Sequence, residues 1–156
     1  TNTVNGAAAT LDDRQLFHKP TADSNPIAWL IWHLSRTKDT YSAILSEQPT
    51  IWADKGWARQ FDLDDRSGGF GDTISQVDRF RPSRALLFNY FNAVQIETTS
   101  RLTLISHLDL EKEYDFFGHA NSGLRLLSMM VIDVVEHTGQ IAYLRGMLTG
   151  KGWNPF

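Results

Sequence analysis

Asp133 and His137 stand four residues apart in MMVIDVVEHTGQI, residues 129–141, an apolar run with the character of a buried helix. Four residues is about one helical turn, so the two side chains lie on one face and can reach one point. A buried carboxylate without a partner is costly, so Asp133 calls for a cation, a strong donor or a metal ion. His33 occupies a similar setting in WLIWHL, residues 29–34. If the two helices face each other, His33, Asp133 and His137 make a three-ligand metal site. Each residue also has a plainer reading. Asp133 and His137 can form a helix-face pair worth roughly 0.2–0.5 kcal/mol, and a lone histidine on an apolar helix is commonly a core residue hydrogen-bonded to backbone.

Composition narrows the chemistry. The chain of 156 residues suits one domain, spanning 1–156, with a core that needs no covalent staples. Hydrophobic residues make up 42% and charged residues 21%, and a net charge of -3 provides no basic footprint for nucleic acid. There is no cysteine, which excludes disulfides, thiolate zinc sites and a cysteine nucleophile, so any metal must be held by nitrogen and oxygen. No apolar stretch approaches a membrane span, and no signal-like segment opens the chain, so the cytoplasm is the expected compartment. Thr1 is not an initiator methionine, which leaves an upstream start open.

The elements that must position these residues read as helices. Residues 2 to about 10 form a short helix with Val4, Ala7, Ala8 and Leu11 on one side, and Asp12-Asp13 starts another turn leading to Phe17. Asn25 and Pro26 read as N-cap and first-turn proline of a long helix to about Glu47, carrying His33 at its centre with Leu30, Thr37 and Thr40 along one line. Residues of about 49–81 look like a loop and short-helix excursion outside the main bundle. Its glycine cluster, Ser67 to Gly71, lacks the Gly-Lys-Ser/Thr ending of a phosphate loop and reads as a flexible turn. Pro82 opens a third long helix to about His107, with Leu86, Leu87, Tyr90, Phe91, Val94 and Thr98 inward. Glu111 to Gly123 is a connection. Ser122 or Gly123 precedes the last helix, which stops at Gly150. The class is all-α, a four-helix bundle, whose facing side chains often build metal sites.

The remaining candidates are weaker. His18 falls in a turn, His107 near a helix C-terminus and His119 in a connection from which it could reach a pocket mouth. Glu97 and Glu136 lack the repeated Glu-x-x-His pairs of a diiron bundle.

Residues 25–39 (NPIAWLIWHLSRTKD) and 136–146 (EHTGQIAYLRG) resemble the DinB-like superfamily, which includes the metal-binding domain of mycothiol-dependent maleylpyruvate isomerases and the bacillithiol transferases. Residues 56–61 (GWARQF) are similar to an actinobacterial-type branch. The resemblance implies a four-helix bundle of up-down-down-up order, often dimeric, holding a divalent metal such as zinc or nickel on three side chains. Carried over by motif, the first ligand falls on His33 and the last on His137. The middle one, usually histidine and sometimes glutamate, is here Asp133, a competent oxygen ligand with a shorter reach.

Three protein ligands leave one coordination position open, the arrangement of catalytic zinc sites. By analogy the expected function is transfer or isomerisation through a metal-bound thiolate, from mycothiol or another low-molecular-weight thiol to an electrophile, in a homodimer. Coordination deprotonates a thiol, so the protein needs no cysteine of its own. Thr37 and Gln140 are candidate hydrogen-bonding residues for substrate, and Trp29 and Trp57 candidate apolar walls. Two alternatives stand beside this one: a metal-dependent hydrolase, and a non-catalytic stress-associated binding domain whose metal site has decayed.

Overall fold

Helix α3, Ile27–Leu45, is the axis on which the fold is built. Its 19 residues contain neither glycine nor proline, and most of them are buried because α3 packs against both α7, Arg84–Leu102, and α9, Gly123–Thr149. The computed structural model describes residues 2–150, without the side chain of residue 2; the remaining positions of the expected domain lie outside the described residues. Before α3 come α1, Asn2–Ala8, which packs on α9, and the single turn α2, Asp13–Leu16, closed by an Asp12–Gln15 capping box. The Arg84 guanidinium donates to the carbonyls of Ala8, Ala9 and Leu11, and that of Arg145 donates to Ala7. Two later helices thereby satisfy the end of the first one.

Three helix boundaries differ from expectation. Pro26, rather than Asn25, is the N-cap of α3, with no side-chain hydrogen bond. The third long helix begins after Ser83, whose hydroxyl accepts from Leu86 N–H, and stops at Leu102 instead of continuing to His107. Ser106 and Asp109 form a new capping box there, starting α8, His107–Glu111. His107 therefore opens a helix instead of closing one, and its imidazole pairs with Glu111 at 3.1 Å.

The expected connection from Glu111 to Gly123 contains a β-hairpin, the only sheet among the described residues. Strand β1, Glu113–Phe116, pairs antiparallel with β2, His119–Ser122, in the register Glu113↔Ser122 to Phe116↔His119. Both residues of its two-residue loop have positive φ, Phe117 at 52° and Gly118 at 80°, as a primed turn requires. Phenylalanine is a poor advertisement for that conformation, and only Tyr114 of the hairpin is buried, so the period-two signal is faint.

The segment between α3 and α7 belongs to the core. It forms α4, Ile51–Asp54, α5, Trp57–Gln60, and α6, Ile74–Arg79, and its Ile51, Trp52, Ala58, Val77 and Phe80 join the same buried cluster as Ile27, Leu34, Tyr90 and Phe91. One carboxylate ties it in place. Asp39, fully buried on α3, accepts from the first amides of α4, Ile51 N–H at 3.0 Å and Trp52 N–H at 2.9 Å. The Tyr90 hydroxyl and Arg36 Nη1 donate to its Oδ2, each at 3.2 Å, and Arg101 Nη1 stands 3.8 Å from Oδ1. A negative charge at a helix N-terminus, with two cations beside it, is favourable on both counts.

Helix α9 is covered on one side only. Ser122 caps its start, Gly150 with φ 81° ends it, and Leu126, Met130 and Ile141 are buried. Val131, Ile132 and Val135 are 51%, 57% and 64% exposed. The apolar run around Asp133 is therefore not uniformly buried: its hydrophobic residues largely face out, while Asp133 turns toward α3. No helix among the described residues is long and apolar enough to cross a membrane.

Candidate metal centre

His33 on α3 and Asp133 and His137 on α9 meet where these helices pack. Their ligand atoms lie within 4.8 Å of one another, and they are the one such group of three among the described residues. Asp133 Oδ1 is 3.9 Å from His33 Nε2 and 3.6 Å from His137 Nε2. The two imidazoles meet edge to face, with centroids 4.8 Å apart.

Both rings are held by their other nitrogen. Nδ1 of His33 lies 2.5 Å from the Gly68 carbonyl, and Nδ1 of His137 lies 2.8 Å from Gln140 Oε1. A carbonyl oxygen only accepts, so each Nδ1 carries its hydrogen and each Nε2 is left for the shared point. Burial pushes the His33 pKa down, and the Gly68 bond and the Asp133 charge only partly restore it, so the ring is neutral at neutral pH. Its partner behaves oppositely. The hydrogen bond to Asp133 raises the His137 pKa against the effect of its burial, and Gln140 adds to the rise. Burial pushes the Asp133 pKa upward, but the bond and charge of His137, the Thr37 hydroxyl and His33 together hold it below the usual carboxylate value.

The donor set fits a divalent cation of borderline hardness. Two imidazoles, each binding in its neutral form, and one carboxylate are ordinary zinc or nickel ligands, so His137 would give up any proton on Nε2 to an ion, and a tetrahedral ion with bonds of about 2.0–2.1 Å separates its ligand atoms by ~3.3–3.4 Å. The two separations from Asp133, 3.6 and 3.9 Å, lie a few tenths wider, and with all three ligand atoms within 4.8 Å of one another the group has to draw in to bind one tetrahedral ion. Asp133 Oδ2 is moreover buried with no hydrogen-bond partner among the described residues. A cation is a suitable partner for an ionised oxygen so placed.

The other expected residues fall into two groups. Trp29 stacks on His33, with ring centroids 4.8 Å apart and an interplanar angle of 11°. Thr37 and Gln140 reach the ligands themselves, one helping to hold Asp133 ionised and the other bonding His137. Trp57 is not brought to this cluster by any ring contact; it packs against Tyr90 at 5.4 Å on the core side. His119 lies exposed on β2, and Glu97 pairs with Lys55 and Arg101.

Three participants escaped the sequence reading. Tyr41 follows His33 and Thr37 at four-residue steps, and burial first and the Asp133 charge second keep its phenol protonated. Gly68 and Asp72 come from the glycine segment: one accepts from His33, and the other accepts from the Trp29 indole N–H at 3.1 Å. The doublet of glycines was the available signal, because a close backbone approach to a ligand is one of the uses of glycine.

A helical bundle with two histidines and a carboxylate converging from facing helices defines a class of candidate divalent-metal proteins. The chain belongs to the DinB superfamily, whose family model matches residues 1–141. Its fold is similar to the crystal structure of a conserved protein from Enterococcus faecalis, with a TM-score of 0.83 and 23% identity over 96% of this chain and 91% of that one. No curated protein matches in sequence.

Proposed function

We propose that this protein is a divalent-metal-dependent enzyme that activates a low-molecular-weight thiol, mycothiol or a relative, for transfer to an electrophile or for an isomerisation. The observation that carries the reading is the convergence of the two Nε2 atoms on Asp133 Oδ1, beside a buried Oδ2 without a partner among the described residues. His33, Asp133 and His137 would hold the ion, zinc or nickel by their chemistry. When bound, the ion supplies the positive charge that lets a coordinated thiol lose its proton near neutral pH. The chain's own residues do the rest. Gly68 and Gln140 keep both rings in one tautomer, Thr37 supports the charge on Asp133, and Trp29 walls the first ring. Tyr41 keeps a phenolic hydrogen near Asp133 that is suited to donation.

A second copy of the chain as partner is part of the same reading. The outward face of α9 exposes Leu124, Val131 and Val135 together with Gly139, a surface on which another helix can approach closely. Sedimentation velocity is expected to give a dimer.

The direct test is metal analysis of protein purified without a metal-affinity step, followed by calorimetric titration with glutathione, mycothiol and bacillithiol. About one divalent ion per chain and saturable binding of one thiol are expected. Absence of both overturns the proposal, and turnover of an ester or amide without thiol would instead favour hydrolysis by activated water.

A further inference from the structure

The glycine segment touches the candidate centre at more points than a passing loop needs. Ser67 O accepts from Arg36 Nε at 2.8 Å, Gly68 O accepts from His33 Nδ1 at 2.5 Å, and Asp72 Oδ2 accepts from Trp29 Nε1 at 3.1 Å. Trp29, so held, lies flat on His33. Between these bonds the backbone passes against the rings. A Cβ on Gly69 would sit 2.6 Å from His33 Nδ1, 2.7 Å from Trp29 Cζ2 and 3.0 Å from Trp32 Cζ3, at a φ of 84°.

We propose that residues 67–72 are a clamp that positions His33: Gly68 sets its tautomer, Asp72 sets its ring plane through Trp29, and Gly69 is the residue whose missing side chain lets the clamp close. Among the described residues, His33 on α3 has no other hydrogen-bonded support on Nδ1. Without the carbonyl, the imidazole is free to move its hydrogen to Nε2 and to rotate. A ligand ring loosened in this way binds metal more weakly, and losses of about 10–100-fold are typical when outer-shell partners are removed. Asp72 and Gly69 are thus positioning residues, acting through Trp29 and through the closeness of the backbone.

The purpose assigned to the clamp rests on the metal reading, but its existence does not, and two measurements keep them apart. The first is nitrogen-15 NMR of the metal-free protein, which reads the His33 tautomer. Wild type is expected to show hydrogen on Nδ1, and Gly69→Ala a mixture. The second is titration with Co2+ alone, followed by its ligand-field absorption. Gly69→Ala and Asp72→Ala are expected to lose about 10–100-fold in affinity. Asp72→Asn, which keeps an oxygen acceptor for Trp29, should recover most of the loss. Gly118→Ala is the control, because it shares the positive φ of Gly69, at 80°, but lies outside the clamp and its Cβ would meet nothing within 4 Å, so its affinity should stay within about twofold of wild type. Circular dichroism identifies any variant that fails to fold; if Gly69→Ala does, Asp72→Ala carries the comparison. Folded Gly69→Ala and Asp72→Ala proteins with the wild-type tautomer and wild-type cobalt affinity overturn the clamp. Wild type that takes up no cobalt while its His33 tautomer is fixed as described overturns the metal proposal and leaves the clamp standing.

Discussion

Asp133 Oδ1 lies 3.9 Å from His33 Nε2, across the packed faces of α9 and α3. These residues come from opposite ends of the chain, and neither helix could assemble the cluster alone. Their approach also explains how Asp133 tolerates an apolar run. It occupies the strip of α9 that faces two imidazoles, while Val131, Ile132 and Val135 point outward.

The carboxylate separates the metal reading from a decayed site. Asp133→Asn keeps the shape and removes the charge, and its amide nitrogen is no ligand. If Asp133 coordinates, Co2+ or Zn2+ affinity should fall more than about tenfold, measured by competition with a chromophoric chelator. Unchanged affinity would mean that Asp133 only braces His137.

The two histidines should titrate in a definite order in the metal-free protein. His33 is pushed below its ordinary value of 6.5 by burial, and His137 is raised above it by Asp133. As pH falls, His137 therefore takes up its proton first, and His33 resists until more acidic conditions. Imidazole carbon-proton NMR spectra followed across pH 4–9 check this, with resonances assigned from His33→Gln and His137→Gln variants; His33 protonating first would contradict the geometry.

The long helices, their inward stripes and the three candidate ligands were legible in the sequence because helical periodicity survives without tertiary information. Asp12, Ser122 and Gly150 marked their boundaries correctly because capping is local chemistry. What escaped depended on distant partners. The glycine segment resembles a free turn until α3 supplies Trp29 and His33 for it to bond, and Trp52 appears stranded in charged sequence until Tyr90 and Phe61 surround it. Exposure on α9 was misread for the same reason, since an apolar face does not disclose what covers it.

Asp39 is expected to matter more for stability than any residue of the candidate centre. Asp39→Ala would leave Arg36 and Arg101 without their shared carboxylate and the Ile51 and Trp52 amides without an acceptor. Breaking a buried pair by removing one partner typically costs about 3–5 kcal/mol. Urea unfolding followed by circular dichroism should show that loss, with Asp39→Asn intermediate because its amide oxygen still accepts. A cost below about 1 kcal/mol would show that water or a neighbouring group replaces the carboxylate.

Lys38 should have the opposite effect on stability, and one that depends on pH. Its ammonium donates to Gln95 Oε1 on α7, and burial brings its pKa down from 10.5 to about 8. Below pH 8 both folded and unfolded chains carry the proton, and the folded one bears the full cost of burying the charge. Between about 8 and 10.5 the unfolded chain binds a proton that the folded chain does not, so stability rises with pH in that window. Lys38→Met removes the buried charge and keeps most of the apolar stem. Discounted for the part of the side chain that still meets water, the gain at pH 7 is on the order of 1–2 kcal/mol. Thermal or urea unfolding of both proteins from pH 7 to 10.5 should show this advantage shrinking toward the alkaline end. A constant difference would assign the effect to packing against α7, and a less stable variant would mean that the bond to Gln95 outweighs the cost of burial.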